Sequence, residues 1–294
     1  MAVAGGRLRI FSSADLIRWR FESVDDSLTT ECPDLFELPV EGDASRTRWV
    51  LSGAGRWYML GHFDGQRFVP ETERLSMTYG PDCYATQTWS DAPDGRRVAM
   101  AWLFAWHYGC GVRPGGRIEN KFPTVPWAGG CLTVPVELTL AATPHGDRLR
   151  QQAVAELGGL RRPLADAGAP TLTDGALDLE LETDRPAELA IPSAFGGAYA
   201  LSMDPGAGRM VLDRRHAGVA GIPRFAERYE APLPVAADGR AAVRAIVDRA
   251  SIEVFAGRGA VHLSATILPD PMGKLTLTAA GGKTGPHRWH QLAI

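Results

Sequence analysis

The chain has 294 residues, of which 45% are hydrophobic and 22% are charged, and its formal net charge is -3 at pH 7. This balance is typical of a folded globular protein and excludes a disordered one. Because no basic run or face is visible, we expect no nucleic-acid partner. No apolar stretch reaches the roughly 18 to 20 residues that span a bilayer, so we expect no membrane partner either.

The cysteines and the first residues bear on cofactors and on location. Cys32, Cys83, Cys110 and Cys131 are far apart and form no Cys-x-x-Cys pair, so the sequence predicts neither a disulfide framework nor a zinc site. We expect no metal and no other cofactor. The first residues, MAVAGGRLRIF, contain no long apolar segment of a secretory signal. The cytoplasm is therefore the default location, with secretion of a longer parent protein as the alternative.

The first half of the chain is predicted to consist of short strands joined by turns. Its apolar runs are about one strand long and are separated by turn signals such as Asp64-Gly65 and Pro93-Asp94-Gly95. The runs are Arg7–Ser12, Trp49–Ser52, Arg56–Gly61 and Arg97–Phe104. Helical patterns are confined to Ala14–Arg18 and Gln151–Leu157, and neither sustains three turns.

The second half shows a cleaner alternation of apolar and polar residues. Ala176–Glu182 places three leucines on one face and acids on the other, which is typical of a half-buried antiparallel strand. Similar runs follow at the spacing of a β-sandwich. They are Val243–Val247, Ser251–Phe255, Val261–Ile267 and Lys274–Thr278.

A shift in composition separates the two halves. Seven of the eight tryptophans lie before residue 131, whereas Ala141–Pro170 is rich in Ala, Gly, Pro and Arg. We therefore predict two domains, covering residues 1–145 and 155–294.

Glu31 is the carboxylate with the most distinctive surroundings. It precedes Cys32-Pro33-Asp34-Leu35-Phe36, so an acid stands at the entry to an apolar strand beside a rigid proline. We expect this carboxyl group to be partly buried, as suits a general acid that works near neutral pH. The alternative is an ordinary surface acid.

The stretch Glu31–Phe36 resembles the acid/base segment of glycoside hydrolase family 32, the invertase, levanase and inulinase family. Other segments resemble that family in the same order along the chain, and together they cover nearly all of it. They are Gly80–Trp89, with its Asp-x-Tyr-Ala-x-Gln pattern, Ala101–Trp106, Trp127–Leu138 and Val247–Phe255.

The resemblance implies an all-β fold in which the later blades of a five-bladed β-propeller are followed by a C-terminal β-sandwich. It also implies retaining hydrolysis of β-fructofuranosyl linkages in sucrose, levan or inulin, with Glu31 as the acid/base. Cys32, Asp82, Tyr84 and Trp106 are the substrate contacts carried over from the matching motifs. The indole of Trp106 would pack against the apolar face of the furanose ring, and core packing is the alternative for this residue.

Two departures from the family pattern matter for the mechanism. The family nucleophile lies in an Asn-Asp-Pro-Asn-Gly stretch and a further aspartate in an Arg-Asp-Pro stretch, and neither string occurs in these 294 residues. Val136 also replaces the arginine expected before Glu137, which puts an ion pair there in doubt. We expect an N-terminally truncated propeller that is inactive by itself.

Three interpretations stay open at this point. The chain is a fragment of a fructan hydrolase, one half of a split enzyme completed by another polypeptide, or a non-catalytic fructan-binding module. A fructose-containing oligosaccharide or polysaccharide is the expected partner in each case. Because an incomplete propeller exposes strand edges, a partner chain or self-association through that part is also expected.

Overall fold

The computed structural model describes residues 2–3, 6–90, 92–106, 108, 131–164, 170–173, 175–282 and 284–293. In these ranges the chain forms twenty-three β-strands and a few 3-10 turns, which confirms the all-β prediction. None of the described helical segments is long and apolar enough to cross a membrane. The first part of the Trp127–Leu138 motif lies outside the described residues.

The first twelve strands form two sheets. A three-stranded antiparallel sheet has the order β1-β2-β3, and a nine-stranded sheet has the order β7-β6-β5-β4-β11-β10-β9, with β8 beside β6 and β12 beside β11. The strands are β1 (Ala2–Val3), β2 (Leu8–Ser12), β3 (Arg20–Asp25), β4 (Pro33–Val40), β5 (Asp43–Gly53), β6 (Trp57–Phe63), β7 (Phe68–Pro70), β8 (Leu75–Ser76), β9 (Tyr84–Trp89), β10 (Arg97–Trp102), β11 (Val136–Thr143) and β12 (Gly146–Ala153).

A parallel pairing between β4 and β11 gives the nine-stranded sheet its non-sequential order. Val40 pairs with Leu140 across this junction, whereas β4, β5 and β6 follow one another as antiparallel hairpins. As a result, the strand that follows Glu31 and the strand that begins with Tyr84 belong to the same sheet.

The last eleven strands form the sandwich. One sheet has the order β13-β23-β14-β19-β20-β21 and the other β18-β17-β16-β15-β22. The strands are β13 (Arg161–Pro163), β14 (Ala176–Thr183), β15 (Ala187–Pro192), β16 (Ala198–Asp204), β17 (Arg209–Asp213), β18 (Arg228–Pro232), β19 (Ala241–Val247), β20 (Ser251–Ala256), β21 (Val261–Thr266), β22 (Thr276–Ala279) and β23 (His287–Leu292).

The sandwich core is built from the inward-facing residues of both sheets. Leu179 and Val254 from the six-stranded sheet and Leu189 and Leu201 from the five-stranded sheet are almost fully buried in one cluster. Every second residue of these strands faces the core because successive side chains of a strand point to opposite sides. The leucine alternation seen in Ala176–Glu182 therefore marks a real buried face.

The chain divides into two compact units. The propeller unit comprises Met1–Thr78, Tyr84–Ala101 and Pro135–Arg150, and the sandwich unit comprises Tyr79–Cys83, Trp102–Val134 and Gln151–Ile294. Tyr79–Cys83 belongs to the sandwich unit because the amide of Tyr79 donates to the carbonyl of His262 at 3.0 Å and that of Asp82 donates to Ser264 at 3.3 Å. The two units are thus interleaved in sequence, and the last change of unit, between Arg150 and Gln151, lies between the two domains predicted as residues 1–145 and 155–294.

Candidate active site

Glu31 and Tyr84 form a hydrogen-bonded pair in the propeller unit. Glu31 lies in the bend before β4 and is exposed, so the expected partial burial is wrong. Tyr84 is the first residue of β9. The hydroxyl of Tyr84 donates a short hydrogen bond to Oε2 of Glu31. Because only one carboxylate oxygen is engaged by the tyrosine, this bond orients the carboxyl group and leaves Oε1 for another partner.

The backbone around this pair is strained. Near the pair, Cys32, Ala54 and Ala85 have positive φ although they are not glycine, at 43°, 51° and 52°. A side chain at such angles meets the backbone, and each residue of this kind costs of order 1–3 kcal/mol. Cys32 directly follows Glu31 and Ala85 directly follows Tyr84, so the strain coincides with the carboxylate and its partner.

Close packing between two loops holds these conformations in place. The carbonyl of Cys32 accepts hydrogen bonds from the amide of Ala54 and from Nε2 of Gln87, both at 3.4 Å. Gly55 has a φ of 75°, and a Cβ at this position would lie 1.9 Å from Oγ1 of Thr86. Only a glycine fits there, so the turn after β5 can approach the start of β9.

Asp34 connects the strand that follows Glu31 to the strand that contains Tyr84. Its Oδ2 accepts a hydrogen bond from the amide of Thr88 at 2.8 Å. The guanidinium of Arg97 donates to the hydroxyl of Thr88 at 3.2 Å and lies 4.9 Å from the centre of the Phe36 ring. These contacts fix β4 and β9 relative to each other, so the side chain of Asp34 stabilises the local structure.

Asp82 lies in the sandwich unit and is fully buried. Its Oδ2 accepts hydrogen bonds from the hydroxyl of Tyr108 and, at 2.7 Å, from the amide of Thr266. Arg214, also fully buried, lies 3.8 Å away. Burial raises the pKa of Asp82, against the opposing effect of Arg214 and these hydrogen bonds. The predicted contact of Asp82 with a sugar hydroxyl stays a prediction, and its described contacts are with protein groups.

Arg214 is enclosed by aromatic side chains. Its guanidinium lies 4.5 Å from the ring centre of Phe225 and 4.9 Å from those of Tyr108 and Tyr229. It donates to the hydroxyls of both tyrosines at 3.1 Å and to the carbonyl of Thr266 at 2.9 Å. A buried cation needs such partners because it has lost its water.

Trp106 is part of an aromatic cluster in the sandwich unit. Its side chain is 62% exposed. Its ring packs edge to face on Trp102 and Phe104, with ring centres 5.9 and 5.1 Å apart. The rings of Trp102 and Phe104 stack in parallel, and their centres are 3.9 Å apart. The exposure argues against core packing for Trp106, and stacking on a furanose stays a prediction.

Glu137 has an arginine within reach although Val136 stands before it. Nη1 of Arg96 lies 3.9 Å from Oε2 of Glu137, while the side chain of Val136 is buried. The ion pair of Glu137 is therefore made by Arg96, which directly precedes β10, and not by the residue at position 136.

The acids close to Glu31 in sequence have local partners. Asp15 accepts the amides of Ile17 and Arg18, and these bonds lower its pKa, the bond from Arg18 having the larger effect. Asp25 accepts from Ser27 at 2.6 Å, and Asp26 pairs with Arg7 at 3.1 Å. Each of these carboxylates, like Asp34, is engaged in a turn, a surface ion pair or a strand contact.

The structure thus brings together three of the five predicted site residues. Glu31, Cys32 and Tyr84 meet in the propeller unit, whereas Asp82 and Trp106 belong to the sandwich unit. Sequence reasoning missed the partners of Asp82, because no local signal connects this residue to Arg214. It also missed the left-handed residues, which carry no marker such as glycine.

Metal ligands are not grouped in the described part of the chain. Among residues 2–3, 6–90, 92–106, 108, 131–164, 170–173, 175–282 and 284–293, no three His, Cys, Asp or Glu side chains could hold an ion together.

Comparison with protein families yields two adjoining matches. The model of the glycosyl hydrolases family 32 N-terminal domain matches residues 2–153, and that of the family 32 C-terminal domain matches residues 149–293. The two matches meet where β12 leads into the sandwich.

Individual relatives agree with this family match. A levanase of Bacillus sp. (strain L7) is 32% identical over 96% of this chain and 34% of its own length. A levanase of Bacillus subtilis (strain 168) is 32% identical over 95% of this chain and 46% of its own length. The chain therefore spans between about a third and a half of the length of these two relatives.

Solved structures resemble the fold. The exo-inulinase of Aspergillus awamori superimposes with a TM-score of 0.77 at 25% identity, covering 97% of this chain and 62% of the inulinase chain. The predicted fold class, later propeller blades followed by a sandwich, is confirmed. From the motifs, the architecture and both family matches, we conclude that the chain belongs to glycosyl hydrolase family 32.

Proposed function

We propose that this chain supplies the acid/base half of a retaining active site that cleaves β-fructofuranosyl linkages in sucrose, levan or inulin. The observation that supports this proposal is the exposed Glu31 carboxylate, which accepts a hydrogen bond from Tyr84. The residue after each of the two, Cys32 and Ala85, has left-handed backbone. Strained residues that persist next to an accessible carboxylate are typical of catalytic sites. The levanases that resemble this chain point to the same class of substrate.

In the first step, Glu31 donates its proton to the glycosidic oxygen while the bond between that oxygen and C2 of the fructosyl group breaks. A carboxylate nucleophile forms a bond to C2 and gives a fructosyl ester. In the second step, the Glu31 carboxylate removes a proton from water, the water oxygen bonds to C2, and the ester bond breaks. Glu31 is protonated again and the nucleophile is regenerated.

Tyr84 has a positioning role in this scheme. Its hydrogen bond occupies Oε2 of Glu31, so Oε1 is the atom that carries the transferable proton. Cys32 holds the bend in which Glu31 lies, through its carbonyl contacts with Ala54 and Gln87. Trp106, whose side chain is exposed, is a further proposed sugar contact, whereas the predicted contact of Asp82 would require its buried carboxylate to become accessible.

The nucleophile, in this proposal, comes from polypeptide outside these 294 residues. Neither family string that carries an active-site aspartate occurs in the sequence. Retaining enzymes need a second carboxylate at roughly 5–5.5 Å from the first, and the acids near Glu31 in sequence are engaged elsewhere. We therefore expect the chain alone to be inactive.

The test joins this chain, in one polypeptide, to the levanase segment that carries the Asn-Asp-Pro-Asn-Gly and Arg-Asp-Pro stretches. We expect the joined protein to release fructose from levan, inulin or sucrose, and the isolated chain to release none. Glu31→Gln should lower this rate by about 10² to 10⁴, the usual contribution of a general acid. Glu37→Gln, at an exposed position of β4 that bonds only Thr47, is the matched control.

Chemical rescue distinguishes loss of a proton donor from loss of structure. β-Fructofuranosyl fluoride needs no acid to release fluoride, so Glu31→Gln should still form the fructosyl ester from it. Added azide, which needs no base, should then give β-fructosyl azide. Full activity of Glu31→Gln on levan, or an equal loss in Glu37→Gln, would contradict the assignment. Turnover by the isolated chain would contradict the external nucleophile.

A further inference from the structure

An elongated groove lies on the outer face of the six-stranded sheet of the sandwich unit. It consists of two adjoining cavities of about 620 and 340 Å³. Glu182, Ala242 and Arg258 line both cavities, so the two form one continuous depression. The combined size is within the range of sites that hold a ligand of several rings.

The floor of the groove consists of outward-facing residues of three neighbouring strands. Glu180 of β14 pairs with Arg244 of β19, which in turn pairs with Phe255 of β20. Asp178 holds the guanidinium of Arg244 at 2.8 Å, and Arg161 holds Glu180 at 2.7 Å. The polar groups of the floor are therefore already oriented, so a ligand need not order them.

One wall of the groove is a turn with an unusual backbone. Gly257, Arg258 and Gly259 connect β20 to β21 with φ values of 59°, 56° and 87°. A Cβ at Gly257 would lie 2.6 Å from Pro234, and one at Gly259 would lie 2.6 Å from the carbonyl of Gln151. The packing on both sides keeps Arg258 left-handed, where a glycine would be less strained.

The opposite wall contains a second available guanidinium. Arg288 lies on β23, which is separated from the turn at Arg258 by β14, β19 and β20. Both arginines are exposed. Within the described ranges of the chain, neither guanidinium has a hydrogen-bond or ion-pair partner, in contrast to Arg244 and Arg161.

The charges around the groove nearly cancel. Glu180, Glu182 and Asp238 lie among Arg240, Arg244, Arg258 and Arg288 along its two cavities. Carboxylates on the floor would repel an anion, and guanidiniums would repel a cation. A hydroxyl group, however, donates to a carboxylate and accepts from a guanidinium. The mixture therefore fits an uncharged ligand that carries many hydroxyl groups.

We propose that this groove is a second binding site, which takes a neutral fructose-containing oligosaccharide. The identity of the sugar rests on the proposed function, whereas the preference for an uncharged polyhydroxylated ligand rests on the groove itself. A second site on the same chain raises the effective concentration of a polymeric substrate, because the next binding event becomes intramolecular.

The test measures binding of inulin-derived oligosaccharides of three to five units to the whole chain, by calorimetry and by the NMR signals of the arginine Nε–H groups. Arg258→Gly removes the guanidinium and suits the left-handed backbone. We expect it to weaken binding about tenfold or more, as for the loss of a hydrogen bond to a charged group, without lowering the melting temperature.

Arg224→Gly is the matched control. Arg224 also has a positive φ, 61°, and lies in the same unit, but it pairs with Glu227 and does not line the groove. We expect this variant to keep the affinity of the unchanged chain. Trp106→Ala should likewise keep the response of the Arg258 and Arg288 signals to the sugar.

Three results would overturn the proposal. In the first, Arg258→Gly binds the oligosaccharide as tightly as the unchanged chain. In the second, inorganic phosphate shifts the signals of Arg258 and Arg288 and the oligosaccharide does not, which identifies an anion site. In the third, Trp106→Ala abolishes all sugar binding. None of these depends on fructose release, so failure here is separate from failure of the Glu31 assignment.

Discussion

A carboxyl group accepts a hydrogen bond from a tyrosine in both units, Glu31 from Tyr84 and Asp82 from Tyr108, and these two pairs differ in nearly every other respect. Glu31 is exposed, and in the part of the chain that the structure describes its side chain accepts a hydrogen bond from Tyr84 at Oε2. Asp82 is fully buried, and its Oδ2 meets Tyr108, the amide of Thr266 and, at a longer distance, Arg214. The first arrangement leaves Oε1 on an exposed side chain, whereas the second leaves Oδ1 buried and, within the described residues, without a hydrogen-bond partner.

The source of the strain differs as well. In the propeller unit the backbone next to the pair is left-handed at Cys32 and Ala85. In the sandwich unit the cost is electrostatic, because Arg214 and Asp82 are both fully buried and have lost their hydration. The comparison teaches that two residues of one motif, Asp82 and Tyr84, can belong to different units and have different surroundings.

The largest effect is expected from removing the buried carboxylate. Asp82→Ala leaves Arg214 buried without its counter-charge, which should lower the free energy of unfolding of the sandwich unit by about 3–5 kcal/mol. Asp213→Ala removes a carboxylate that pairs with the half-exposed Arg215 and should cost about 1 kcal/mol or less. Urea unfolding measures both. Equal losses in the two variants would show that the buried pair is no more important than a surface pair.

An intermediate effect is expected at alkaline pH. Burial raises the pKa of Tyr229 from 10.0 to about 12. Because the unfolded tyrosine ionises first, the contribution of this group is fully present below pH 10 and is lost as the pH rises through 12. The melting temperature of the sandwich unit should therefore fall over this range, and Tyr229→Phe should fall less steeply. Identical slopes would show that Tyr229 does not carry the alkaline loss.

The smallest effect concerns the backbone at Ala85. Ala85→Gly relieves a φ of 52° and should leave the stability of the propeller unit unchanged or raise it by up to about 1 kcal/mol. Ala85→Val adds a β-branched side chain at the same angle and should destabilise this unit by about 1–3 kcal/mol. Hydrogen exchange of the β9 amides reports both. A tolerated valine would mean that the strain beside Tyr84 is not real.

Contiguous features of the site were predictable from sequence. Glu31–Phe36 is an unbroken string, and strands such as Ala176–Glu182 show their buried face by alternation. Contacts between distant residues were not predictable, because Arg214 reaches Asp82 and Arg96 reaches Glu137 only through the fold. Left-handed backbone at Cys32 and Ala85 was not predictable either, because neither residue type signals it.

The contacts of Arg214 have a consequence for the modularity of this architecture. A polypeptide that starts at Gln151 would contain both sheets of the sandwich and the arginine, but not Asp82 or Tyr108, which come from earlier in the chain. Genetic recombination at the junction between the two family domains would thus place the buried Arg214 in a new protein without the carboxylate of Asp82. For this reason we expect the two halves to be inherited together and not to be exchanged separately between proteins.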